Sequence, residues 1–123
     1  MDCKLELVIV PVSDVDRAKG FYADQVGFHM DMDATVRPGL RFVQLTPVGS
    51  ACSIAIGEGI TDAPVGSVKG LQVVVDDVKA ARESLVQGGV DVSEVDVQDW
   101  GSFVYFSDPD GNAWSVQQLP PRS

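Results

Sequence analysis

Apolar and polar residues alternate over 4–12 (KLELVIVPV), and β-branched side chains dominate there, which predicts a strand. Ser13 or Asp14 can cap the helix that follows. In it Val15, Ala18, Phe21 and Tyr22 recur at spacings of three and four and form one apolar face. Gly27 closes the unit. Residues 28–32, 40–46 and 51–56 read as three more strands. Glycine and proline then crowd the chain at Gly57, Gly59, Pro64 and Gly66. This predicts a linker over 58–68 between halves 1–57 and 69–119 of a single domain. The order then returns. Residues 70–75 read as a strand, Asp76 or Asp77 as a cap, and Val78, Ala81 and Leu85 as a helical face ended by Gly88 and Gly89. Residues 90–95, 102–107 and 113–119 read as strands, the first of them weak.

The two halves match in register as well as in order. Asp14, Val15 and Ala18 reappear 63 residues later as Asp77, Val78 and Ala81, and Phe42-Val43 reappear 61 later as Phe103-Val104. Pro47, Gly49, Ala51 and Ser53 reappear 62 residues later as Pro109, Gly111, Ala113 and Ser115. A near-constant offset across three separate windows is the mark of a duplicated unit.

Nine basic against 18 acidic residues give a formal net charge of −9. Such a chain repels phosphate backbones and anionic lipid, so neither nucleic acid nor membrane is an expected partner. No apolar run approaches the roughly 20 residues of a membrane span. The N-terminal segment has no basic stretch before its apolar run, so a cytoplasmic location is expected. Cys3 and Cys52 lie in no metal-binding spacing, and Cys52 reads as a small buried hydrophobe. His29 is the only histidine, which excludes a histidine-pair metal site within one chain. Asp31 and Asp33 alternate beside it and read as one acidic strand face. Asp108 and Asp110 read as turn chemistry.

Residues 10–28 (VPVSDVDRAKGFYADQVGF), 73–90 (VVVDDVKAARESLVQGGV) and 106–114 (FSDPDGNAW) together resemble the glyoxalase/bleomycin-resistance/extradiol dioxygenase (vicinal oxygen chelate) superfamily. The resemblance implies an α+β fold of two βαβββ repeats, whose curved mixed sheets surround a pocket, often across a dimer with exchanged halves. It also implies a divalent metal held from the first and fourth strands of each half. Carried over residue by residue, the ligand positions are Leu7, Gly70, Ser53 and Ser115. Leucine and glycine offer no ligand atom, and a neutral hydroxyl is a poor one. Glu6 is one residue away and so on the opposite strand face. No metal and no other cofactor is therefore expected.

Strand parity then predicts a pocket lining. Leu7, Ile9, Gln72, Ser53 and Ser115 share the ligand-position face. Phe42, Gln44, Phe103 and Tyr105 join it from the third strand of each half, and Trp100 lies in a loop at its mouth. Rings, an apolar floor and a few neutral polar groups suit a small-molecule site, though the same side chains would also serve simply to fill space. The lining holds no Lys or Arg unless Arg41 turns inward. The expected function is metal-independent binding of a small planar or cationic compound, in the manner of antibiotic resistance by sequestration, by a homodimer. The alternative is a metal-dependent lyase, isomerase or dioxygenase with its site relocated around Gln72, Gln44 and Glu6.

Overall fold

The computed structural model describes residues 1–121. Its first half runs β1 (Leu7–Ile9), α1 (Val15–Gly20) continuing as a π-helical turn (Phe21–Val26), β2 (His29–Arg37), β3 (Leu40–Thr46) and β4 (Ser53–Glu58). The second runs β5 (Leu71–Val74), α2 (Val78–Gln87), β6 (Asp96–Gln98), β7 (Gly101–Ser107) and β8 (Ala113–Gln118). The sheet orders are β1-β4-β3-β2 and β5-β8-β7-β6. In each sheet the first strand pairs parallel with the last and the other pairs are antiparallel. The duplication read from the offsets is thus a duplication of topology. None of the described helices is long and apolar enough to cross a membrane.

Both helices start on the aspartates that recur in the sequence. Asp14 accepts the Arg17 amide at 3.0 Å, and Asp77 accepts those of Lys79 and Ala80 at 3.0 and 3.1 Å. Three strands depart from the alternation. β1 is shorter than 4–12, because pairing with β4 ends one bond past Ile9, at Val10 N to Ala55 O, and Pro11 has no amide to continue it. β2 runs five residues past the expected end at Met32, carried through polar sequence by its hairpin with β3. Residues 90–95 form no strand. Ser93 gives β7 one backbone bond, to Tyr105 O, but the Tyr105 amide turns to the Ser93 hydroxyl, so no ladder starts until Asp96.

One core joins the halves. Val43, Leu45, Ile54 and Ile56 from the first sheet and Val104, Phe106, Trp114 and Val116 from the second cluster with Val15, Ala18, Phe21, Tyr22, Val78 and Leu85 of the helical segments. The Trp114 ring stacks on Phe106 and tilts against Tyr22 at centroid distances of 5.9 and 5.7 Å. At the C-terminal end of α2 a Cβ on Gly88 would lie 2.1 Å from the Gln25 carbonyl oxygen, so the halves there meet backbone to backbone.

The 108–112 turn (DPDGN) fastens this core. Asp108 Oδ1 accepts the Asp110 and Asn112 amides at 2.9 and 3.0 Å. Its Oδ2 accepts the Tyr22 hydroxyl at 2.8 Å and Asn112 Nδ2 at 2.7 Å. Trp114 Nε1 donates to the Tyr22 oxygen at 3.0 Å, and Asn112 Nδ2 also reaches Pro11 O at 2.9 Å. Burial, and then the neighbouring Asp108 charge, hold the Tyr22 phenol protonated far above the usual range. Asp110 accepts from Ser13 Oγ at 2.6 Å and Arg17 at 3.1 Å, so a turn of the second half latches the helix start of the first.

On the helix side of the first sheet Arg41 grips Asp33 with two bonds, 2.9 and 2.8 Å, and reaches Asp16 at 3.0 Å. Lys19 adds a contact to Asp33 at 2.8 Å. Arg41 therefore does not turn toward the ligand-position face. The Arg41 and then the Lys19 hydrogen bonds hold the Asp33 carboxyl well below the ordinary carboxylate range. The unfolded chain takes up that proton first, so this network stabilises fully above the ordinary aspartate value of about 3.9 and fades as pH falls below it. Asp33→Asn is expected to cost about 1 kcal/mol near neutrality. The gap to wild type should close toward strong acid, as read by urea denaturation at a series of pH values.

Candidate functional site

Each sheet has a second face, turned away from the helices. On the first, register pairs Leu7 with Ser53, Ile9 and Gln44 with Ala55, and Phe42 with Gly57. On the second, Gln72 and Tyr105 pair with Ser115, and Val74 and Phe103 with Gln117. These outer faces carry the residues singled out by parity. The register also matches Gln72, rather than Gly70, with Leu7, since each stands opposite the equivalent serine of its sheet.

A hydrogen-bond chain crosses the second outer face. Ser115 Oγ donates to Gln72 Oε1 at 2.9 Å, Gln72 Nε2 to Gln117 Oε1 at 2.8 Å, and Gln117 Nε2 to the Trp100 carbonyl at 2.9 Å. The last bond ties the Trp100 loop to the sheet and leaves the indole 63% exposed. Tyr105 is 42% exposed, whereas Phe103 is 5% exposed and stacks parallel to it at 6.1 Å. Phe103 supports the tyrosine ring from beneath and offers no open surface. The Tyr105 hydroxyl donates to Asp96 at 2.7 Å, which fixes the ring. That bond raises the Tyr105 pKa, while the Gln98 and then the Tyr105 bonds lower that of Asp96. An open depression of about 570 Å³ borders this face; of the residues read by parity it takes only Tyr105 and Ser115, and Lys69, Asp91 and the core residues Phe106 and Trp114 also line it. Lys69 is a cation absent from the lining read by parity. Its Nζ donates to Gly111 O at 2.6 Å.

The first outer face has its own chain. Gln44 Nε2 lies 3.2 Å from Ser53 Oγ, which lies 2.6 Å from Thr46 Oγ1, and Thr46 donates to Asp31. Sequence reasoning missed Thr46 and misplaced Asp31. Thr46 was within reach, being two residues from Gln44 on the same strand. Asp31 was not, because it and Asp33 do not share a face. A one-residue register slip between Met30 and Met32 separates them, and Asp33 faces Arg41 on the helix side. His29 is exposed, with Nε2 3.7 Å from Asp31 Oδ1. Cys52 precedes β4 and is half-buried, and both cysteines are free thiols. No hydrogen bond links the two outer faces among the described residues.

The family model for the Glyoxalase/Bleomycin resistance protein/Dioxygenase superfamily matches residues 4–116. The chain belongs to this superfamily. TnmS3, an antibiotic binding protein from Streptomyces sp. CB03234, is 35% identical with a TM-score of 0.87 over 97% of this chain and 98% of that one. A glyoxalase/bleomycin resistance protein from the same strain is 36% identical with a TM-score of 0.82, covering 94% and 100%. The uncharacterized protein YetH of Bacillus subtilis (strain 168) is 27% identical over 119 residues, 90% of this chain and 94% of its own.

Membership in the superfamily raises the question of a metal. At the matched positions the donors are two serine hydroxyls and one glutamine amide oxygen, with Leu7 as the fourth residue. Both hydroxyls and the amide are already hydrogen-bonded to one another or to neighbours. No group of three His, Cys, Asp or Glu able to hold a metal occurs among the described residues. This neutral set does not fit a divalent ion that acts on vicinal oxygens.

Proposed function

We propose that this chain binds a small planar molecule, neutral or cationic, without covalent chemistry or metal, in a pocket that two copies close between them. The observation carrying this reading is the make-up of the outer faces. They present rings and amides and hydroxyls bonded to one another, with the Asp31 and Asp96 carboxylates at the ends of these bonds and no metal-ligand set among the described residues. The helix-side faces of both sheets share one core, so the outer faces of one chain do not meet. They leave Ile9, Val74 and Tyr105 exposed. A homodimer that sets the first outer face of one copy against the second outer face of the other would cover these side chains and enclose the site. The antibiotic-binding character of TnmS3 supports sequestration, and with it a role in resistance to such a compound.

The ligand's charge follows from the field. A net charge of −9, with Asp31 and Asp96 on the outer faces, raises the local concentration of cations and lowers that of anions. Exposed rings add on the order of 0.5–2 kcal/mol for each cation they contact. Lys69 is the opposing charge in the lining. A thermal-shift screen with naphthylmethylammonium, naphthylmethanol and naphthylacetate is expected to rank stabilisation in that order. Stabilisation by the carboxylate alone, abolished in Lys69→Ala, would show the opposite sign of pocket.

Elemental analysis of dialysed protein is expected to find no stoichiometric nickel, zinc, manganese or iron. One equivalent per chain, lost in Gln72→Ala, would return the chain to the metal-dependent lyases, isomerases and dioxygenases.

A further inference from the structure

The β2 bulge gives the first outer face a carboxylate. Met30 pairs with Leu45 and Met32 with the adjacent Gln44, so Asp31 is an extra residue between two rungs with no partner on β3. Thr46 commits its single hydroxyl proton to Asp31. The Ser53 hydroxyl, 2.6 Å away, must then donate to Thr46, and Gln44 Nε2 donates to Ser53 at 3.2 Å. The chain thus runs in one direction, from an amide through two hydroxyls, and ends on the Asp31 carboxylate. Each bond polarises the next toward that end.

Asp31 differs from the carboxylates of the helix side. Asp33 is paired with Arg41 and Lys19, and Asp110 with Arg17. Among the described residues no Lys or Arg pairs with Asp31; its one ion-pair contact is His29 Nε2, 3.7 Å from Oδ1, on an imidazole 74% exposed, and the Asp31 side chain is 29% exposed. Closing a pocket over such a group strips water from it and supplies no Lys or Arg in return. A donor on the ligand restores what closure removes, most strongly when the donor is charged.

We propose that Asp31 is the ligand-orienting group of the pocket and recognises an N–H donor, above all a protonated amine, carried on a planar ring. This rests on the pocket reading given above. Gln44, Ser53 and Thr46 are positioning residues, which hold the carboxylate by Oδ2 and turn Oδ1, beside the exposed His29 imidazole, toward the ligand.

The test is an NMR titration of the full-length protein with naphthylmethylammonium and naphthylmethanol at about pH 7.5, where amine and carboxylate are both charged. Asp31→Asn is expected to weaken the ammonium about tenfold and the alcohol less than about twofold. Asp33→Asn removes the same charge from the same strand on the helix side and is expected to change neither. Equal losses in the two variants would reduce the effect to the long-range field and overturn the assignment. So would full ammonium affinity in Asp31→Asn alongside a loss in Tyr105→Ala, which leaves the pocket standing. Wild type that binds no probe, or binding indifferent to Tyr105→Ala, would overturn the pocket and the assignment with it.

Discussion

Asp108→Ala is expected to destabilise the fold by about 3–5 kcal/mol, because it strands several buried donors at once and each costs about 1–3 kcal/mol. The Tyr22 hydroxyl, Asn112 Nδ2 and the amides of Asp110 and Asn112 all end on this one carboxylate. Tyr22, Asn112 and Asp108 are buried, so water cannot readily take its place. Tyr22→Phe keeps the ring packing and removes one hydroxyl, and about 1–2 kcal/mol is expected for it. Urea denaturation should show a large fall in midpoint for Asp108→Ala with an unchanged slope. Domains of this size have about 5–15 kcal/mol in hand, so the variant should fold but lie near the margin. A change below about 1 kcal/mol would mean that the network is not satisfied as described.

Two variants that each lose binding alone are expected to recover it together. Ile9→Arg damages the first outer face and Tyr105→Ala the second. If each site joins the first face of one copy to the second face of the other, a mixed dimer has one site with both lesions and one with neither. Random mixing makes half of the dimers mixed, so about a quarter of all sites should be restored. Purifying the mixed dimer through two different tags should raise this to half of its sites. Titration with naphthylmethylammonium counts them. Sedimentation must first show a dimer at micromolar concentration, and a monomer would end the argument. Dimers without recovery would place the whole site within one chain.

Residue types alone made much of this architecture readable. Asp14 and Asp77 announce the helices because a short carboxylate caps free amides wherever it stands. Side-chain parity on β3, β4, β7 and β8 follows from the two-residue period of a strand, so Phe42 and Gln44 fell on one face with Ser53, and Tyr105 with Ser115. The duplication was legible because both copies keep the same capping aspartate and the same turn proline and glycine at a near-constant offset. These are local effects, decided within a few residues of chain.

What the tertiary structure decided lies between segments. Asp108 reads as a turn residue, yet its second oxygen is filled by a tyrosine 86 positions away. Arg41 carries no sign of which way it faces until Asp33 and Asp16 hold it against the helix. Asp31 and Asp33 look alike in an alternating strand. One extra residue in the β2 ladder parts them, and a bulge is settled by the pairing of two strands, which neither strand's sequence records. The expected strand at 90–95 failed for a related reason, since a serine hydroxyl took the place of a backbone partner. Local sequence was enough for the helices, most of the strands, their repetition and the faces of the regular strands, because propensity, capping and period are properties of neighbouring residues. Which carboxylates are paired with Arg or Lys and which are left on the outer faces was decided only when the sheets closed, because charge pairing and register depend on groups that are distant along the chain.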